Sequence, residues 1–204
     1  HDALPISLYI RIKHAEIAHG FVKSVDTAAA EAIDGVVQFG AVRTGELQGQ
    51  SLLDGLAELK GGGPYNIELF GGGPADPNAP LFFEAAMKVL QPKIDDGTLK
   101  VVSGQTAIAQ TATQGWKAEN AQRRMDSLLT STYSSAELDG VLSPNDTLAR
   151  AILTSVKAAG KDISTFTVTG QDSEVESVKS IMAGEQYSTI NKDTSLLVEQ
   201  TIKM

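Results

Sequence analysis

From Val36 onward, short apolar β-prone runs alternate with longer segments of helical period, and no other feature limits the possible folds so strongly. The β-prone runs predict strands over Val36 to Phe39, Tyr65 to Phe70, Leu99 to Ser103, Gly140 to Leu142, Phe166 to Thr169 and Tyr187 to Ile190. Helical period predicts helices over Gly45 to Leu59, Asn78 to Leu90, Lys117 to Thr130, Asp146 to Ala159, Ser173 to Ala183 and Thr194 to Lys203. In the third of these, Ala121, Met125, Leu128 and Leu129 share one face, while Arg123, Arg124 and Asp126 take the other. Strand and helix in turn make an α/β fold, a parallel sheet with helices on both faces. The segment "GGGPYNIELFGGGP" is a strand held between two breakers, each three glycines followed by proline.

Composition removes several function classes. The 204 residues are enough for one sizeable α/β domain or two small lobes, and 42% hydrophobic content is that of a folded protein. A net charge of -8 argues against a nucleic-acid surface, which needs clustered Lys and Arg. Without cysteine there is no disulfide framework, thiolate nucleophile or Cys-type zinc site. The three histidines, His1, His14 and His19, all fall in the first twenty residues, so the body of the chain lacks the commonest general base and metal ligand. No catalytic residue, cofactor or metal is therefore expected. No apolar run reaches the roughly 20 residues that span a bilayer.

The opening "HDALPIS" matches the translation of a common sequencing-adapter string, so His1 to Ser7 are read as a scar and left out of the fold argument.

A parallel sheet gathers its ligands outside the carboxyl ends of its strands, which fixes in advance the loops to inspect. After Phe70 comes "GGGPADPNAP", in which Asn78 either caps the next helix or turns its amide to a ligand. No Gly-Lys-Ser/Thr follows these glycines, so a phosphate cradle has little support. After Leu142 comes "SPNDTLARAI": Pro144 fixes the chain, and of Asn145 and Asp146 one is a cap. After Thr169 comes "GQDSEVESVKSI", where Gln171 and Asp172 form a hydroxyl-binding pair or Asp172 is a plain cap. After Ile190 come Asn191, Lys192 and Asp193, and the charged residues of such a loop are expected to be solvated.

Trp116, the only tryptophan, lies on the remaining loop of this set. A lone Trp is usually core, yet its neighbours Gln114, Gly115 and Lys117 are not core residues. Together the loops offer one aromatic face with several amides and carboxylates, and no nucleophile beside a base. That inventory suits a neutral polyhydroxylated ligand: the aromatic meets C–H surface and charged groups hold the hydroxyls.

The segments "GWKAENAQRRMDSLL", "VLSPNDTLARAI", "TVTGQDSEVESVKSIMAGEQYSTINKDT" and "GELQGQSLLDGL" resemble the monosaccharide-binding proteins of bacterial sugar ABC importers. Within that group the chain is most similar to the glucose/galactose and multiple-monosaccharide branch of the type I periplasmic binding protein fold. The similarity runs in unbroken order from about Val36 to Met204. It implies two α/β lobes that close over a sugar, with Trp116 stacking on the pyranose ring. It also implies Asn145 and Asp172 as hydroxyl ligands, Lys192 as a further ligand near the hinge, and Asn78 as a weaker one.

The chain departs from that pattern where relatives often carry an Asp-Asn pair, reading Phe39, Gly40, Ala41 instead. It also carries Phe82 near the place of an Arg found in some relatives. The resemblance divides the chain into an ill-defined segment 1–35, a remnant of the N-terminal lobe at 36–64, a C-terminal sugar-binding lobe at 65–190, and a hinge return at 191–204. The missing opening strands mark it as a fragment. The implied function is an extracytoplasmic solute-binding protein that captures a glucose-, galactose- or xylose-like monosaccharide and delivers it to an ABC importer permease. A chemoreceptor or sensor kinase is a further implied partner, and the implied location is the periplasm or the outer face of the cytoplasmic membrane. The alternative is the sugar-sensing effector domain of a LacI-type transcription repressor, which shares the fold and would carry an N-terminal helix-turn-helix.

Overall fold

A computed structural model describes residues 7–12, 20–22 and 36–192, with side chains from 40 to 192. The helix expected over Thr194 to Lys203, and most of the segment 1–35, lie outside the described residues. The elements are β1 (Ser7–Ile12), β2 (Gly20–Val22), α1 (Val36–Lys60), β3 (Tyr65–Leu69), α2 (Asn78–Asp95), β4 (Leu99–Val101) and α3 (Ile108–Thr111). After a 3-10 turn at Gln114–Trp116 follow α4 (Ala118–Thr130), β5 (Gly140–Leu142), α5 (Asp146–Ala158), β6 (Thr167–Val168), α6 (Val175–Met182) and β7 (Ser188–Lys192).

Four strands form a parallel sheet in the order β4-β3-β5-β6, with Ile67 opposite Gly140 and Leu69 opposite Leu142. A parallel bridge from Gln171 to Ile190 brings β7 in beside the extension of β6. β7 also pairs antiparallel with β1, and β1 with β2. The strand order reverses between β3 and β5, the topological switch point at which open α/β sheets hold their ligands.

The two faces of β3 follow strand alternation. Ile67 and Leu69 enter a core with Leu52 and Leu56 of α1 and Phe83, Ala86 and Leu90 of α2. Phe70, just past β3, lies in the opposite core with Met125 and Leu129 of α4 and Leu148 and Ile152 of α5. Leu52 and Leu56 thus pack α1 on the same sheet as the strands after it.

The strand expected over Val36 to Phe39 is corrected: these residues are the first turn of α1. β-branched preference is worth at most about 1 kcal/mol and depends on context, and adding a residue to a helix already nucleated is easy. A second correction concerns Arg124, placed by its period opposite the apolar stripe. It is only 17% exposed, donates to the Leu69 carbonyl at 3.0 Å and to Gln105 at 2.7 Å, and lies 4.2 Å from the centre of the Phe70 ring. A long guanidinium at the edge of a helix face can turn inward when fixed acceptors await it. The guanidinium also forms an ion pair at 3.6 Å with Glu68, a fully buried carboxylate that accepts from Ser103 N–H at 3.1 Å and the Tyr133 hydroxyl at 2.7 Å. Burial, reinforced by Glu68, pushes the Tyr133 hydroxyl well above its ordinary range, so it stays a donor.

Candidate functional site

The loops at the carboxyl edge of the sheet are joined to one another by backbone hydrogen bonds. Gly71 N–H donates to Thr111 O at 2.9 Å, and Thr113 N–H returns to Gly71 O at 3.0 Å, tying the Trp116 segment to the loop after β3. Phe70 N–H donates to Leu142 O at 2.9 Å, joining the ends of β3 and β5. Asp146 N–H donates to Gln171 O at 2.9 Å and Asp172 N–H to Ile190 O at 3.0 Å, which carries the series to β7. Trp116, Asn145 and Asp172, on neighbouring loops, and Lys192, at the end of β7, therefore stand along one edge.

Trp116 is neither a core residue nor a free one. It is partly buried against the α4–α5 core and sits at φ 55, after Gly115 at φ 64. Its indole runs along the backbone of Gly72 and Gly73. A Cβ on Gly72 would overlap Cζ2 and Cη2, and one on Gly73 would lie 2.8 Å from Cδ1 and 2.9 Å from Nε1. Ordinary side chains at these two positions would displace the ring, so Gly72 and Gly73 are the bed on which it rests.

Asn145 is the cap of α5, its Oδ1 accepting Leu148 N–H at 2.9 Å. That bond uses one oxygen and leaves the Nδ2 donor for other work. Asp146 is fully buried and joins three segments: it accepts from Glu174 N–H, from the Thr189 hydroxyl at 2.9 Å and from Gln186 Nε2 at 3.0 Å. Burial raises its pKa to about 6 despite those bonds.

Asp172 is exposed, at φ 98, a region that side-chain-bearing residues rarely occupy. It is not the cap of α6, a position taken by Glu174. Its carboxylate lies 2.8 Å from Lys192 Nζ, and that ammonium is 5.0 Å from the centre of the Phe82 ring. Lys192 is thus paired where solvation was expected. Asn78 is not a cap either: Pro77 holds that position, and the Asn78 N–H donates to Asp76 Oδ1 at 2.8 Å.

Gln171 is corrected as a partner of Asp172 in ligand binding. It is 0% exposed, and its Nε2 donates at 2.9 Å to Gln48 Oε1. Sequence reasoning did not single out Gln48, nor Phe70 as part of a site. Both, with Gly72, Phe82 and Pro144, line a tight crease at the ends of β3 and β5 that has no room for a water molecule. The run of glycines was the one available signal for it.

Residues 11–204 match the family profile described as periplasmic binding protein domain. The multiple sugar-binding periplasmic receptor ChvE of Rhizobium radiobacter is 49% identical over 175 residues, which are 84% of this chain and 49% of the relative. The multiple sugar-binding periplasmic protein SbpA of Azospirillum brasilense is 45% identical over 86% of this chain and 50% of its own length. The chain thus spans about half the length of these relatives. An ABC transporter solute-binding protein from Clostridium phytofermentans, solved with bound β-D-glucose, superposes with a TM-score of 0.73 at 38% identity, covering 80% of this chain and 51% of that one. With nearly its whole length inside the profile and the parallel sheet that goes with it, the chain belongs to the periplasmic binding protein domain family.

Proposed function

We propose that this chain forms the sugar-holding lobe of an extracytoplasmic solute-binding protein, which captures a monosaccharide and passes it to an ABC importer permease. The observation that carries the reading is the Trp116 indole bedded on Gly72 and Gly73, along the edge that also bears Asn145, Asp172 and Lys192. A flat aromatic covers the C–H face of a pyranose, while an amide donor and a carboxylate take its hydroxyls. The names of the relatives, multiple sugar-binding receptors, and the glucose in the Clostridium phytofermentans complex support the same substrate class. So does their periplasmic designation for the location.

In this reading, the second lobe closes over the ligand and removes water from these bonds, which strengthens them. The role is binding and delivery without turnover.

Calorimetric titration of the full-length gene product with D-glucose, D-galactose, D-xylose and L-arabinose tests the proposal. We expect saturable one-site binding of at least one of these sugars. No heat with any of them, or chemical conversion of a bound sugar, would overturn it.

A further inference from the structure

Gln48, on the face of α1 turned to the sheet, is a buried polar group outside the sugar edge. Its side chain is 1% exposed and reaches two loops that are remote in sequence. Nε2 donates to the Ser143 carbonyl at 2.5 Å, and Oε1 accepts from Gln171 Nε2 at 2.9 Å. Ser143 precedes Asn145 by two residues, and Gln171 immediately precedes Asp172. One amide therefore joins the approaches to both proposed hydroxyl ligands.

Three observations assign this bridge to positioning. Asp172 stands at φ 98, and such a conformation in a residue with a side chain persists only where its surroundings hold it. Gln171 Oε1 is buried without a partner, so Gln48 alone fixes the orientation of that amide among the described residues. The same orphan offsets much of what the new hydrogen bond contributes to stability, so the pair has little to offer as a staple. Ser143 is held further by Thr169, whose hydroxyl donates to its carbonyl at 3.2 Å, and its own hydroxyl donates to Asn145 O at 3.0 Å. A shift at Gln48 is thus passed on to Asn145 through a continuous set of bonds.

We infer that Gln48 is a positioning residue that sets the spacing of Asn145 and Asp172 at the sugar edge. The inference rests on the proposed sugar-binding reading for its consequence in affinity, though the geometry it sets exists without a ligand.

The test compares Gln48→Met, Gln48→Asn, which withdraws the amide by one methylene, and the double variant Gln48→Met/Gln171→Met. In the sugar-free protein, amide exchange of Leu148 and Asp172 should quicken about ten-fold in each Gln48 single variant, while Ile67 in β3 is unchanged. In titrations, affinity for D-glucose and D-xylose should fall alike, by about ten-fold or more. The double variant removes both partners and should regain thermal stability without regaining affinity. Unchanged exchange at Leu148 and Asp172 would overturn the inference whether or not a sugar binds. So would affinity that returns with stability in the double variant, since Gln48 would then be merely structural. A parent protein that binds none of the sugars, with the exchange result as expected, would sink the sugar reading and leave the positioning role standing.

Discussion

At the scale of single residues, the site depends on how close a backbone can come to an indole. Gly72 and Gly73 matter for the atom they lack, as a Cβ on Gly72 would overlap Trp116 and also lie 2.9 Å from Ala79 Cβ. The ring is rigid and is held from behind by the α4–α5 core, so it cannot yield cheaply. Gly72→Ala should therefore cost about 1 to 3 kcal/mol of stability by overpacking and change the near-ultraviolet circular dichroism of the single tryptophan. Gly62→Ala, where a Cβ meets nothing within 4 Å, is the control and should stay within about 0.5 kcal/mol of the parent. Equal effects in chemical denaturation would show that Gly72 is not bedding the ring. Trp116→Ala should cost about 1 to 3 kcal/mol of sugar affinity in calorimetry, the range of a buried aromatic anchor. Unchanged affinity would return the indole to the core.

At the scale of elements, α1 crosses α2 through glycines. A Cβ on Gly45 would overlap the Phe82 carbonyl and lie 2.8 Å from Ala85 Cβ, and one on Gly49 would lie 2.8 Å from the Ala86 carbonyl. Gly40, on the same helix, meets nothing within 4 Å. The two positions should respond with opposite sign. Gly40→Ala should gain up to about 1 kcal/mol from helix propensity, and Gly45→Ala should lose about 1 to 3 kcal/mol as α2 is pushed away with Phe82. Thermal denaturation of the pair checks this, and a gain in both would mean the crossing is looser than described. None of this closeness could be read in the sequence, because a glycine in a helical pattern looks the same whether it faces solvent or a neighbouring carbonyl. The strands from β3 to β7 and helices α2, α4, α5 and α6 were legible, since each apolar run is bounded by Gly, Pro or a cap such as Asn145. Val36 to Phe39 was not, because four residues of β-prone composition do not reveal that a helix continues through them. Arg124 and Gln48 were misread or missed for one reason: their partners are 55 and 95 residues away, and period says only which face a side chain is on.

At the scale of the whole molecule, Asp146 links the start of α5, the approach to α6 and β7 through one buried carboxylate, and its cost is set by pH. Loss of hydration on burial raises its pKa from 3.8 to about 6, against the lowering effect of the bonds from Thr189, Glu174 N–H and Gln186, with Asp172 adding a further small rise. Unfolded, the group gives up its proton near its ordinary value; folded, it keeps it to about 6. Between those values the native state binds more protons than the unfolded chain, so this group favours folding most at the acid end. That contribution is lost as pH rises through about 6, with a total on the order of 3 kcal/mol for a shift of about two units. Asp96, Asp162 and Glu176 act in the opposite direction: bonds from Thr98, Ser164 and Lys179 respectively hold them below their ordinary values, so they favour folding above that range and lose this as pH falls. The raw profile mixes both signs, and the difference between the parent and Asp146→Asn isolates the buried group. Urea denaturation from pH 4 to 7.5 should show the parent losing stability relative to Asp146→Asn as pH rises, most steeply between about 4 and 6 and levelling off above that. Parallel profiles would mean that Asp146 is ionised throughout, its three donors outweighing its burial, and that the junction of α5, α6 and β7 is held by a full charge at every pH the protein meets.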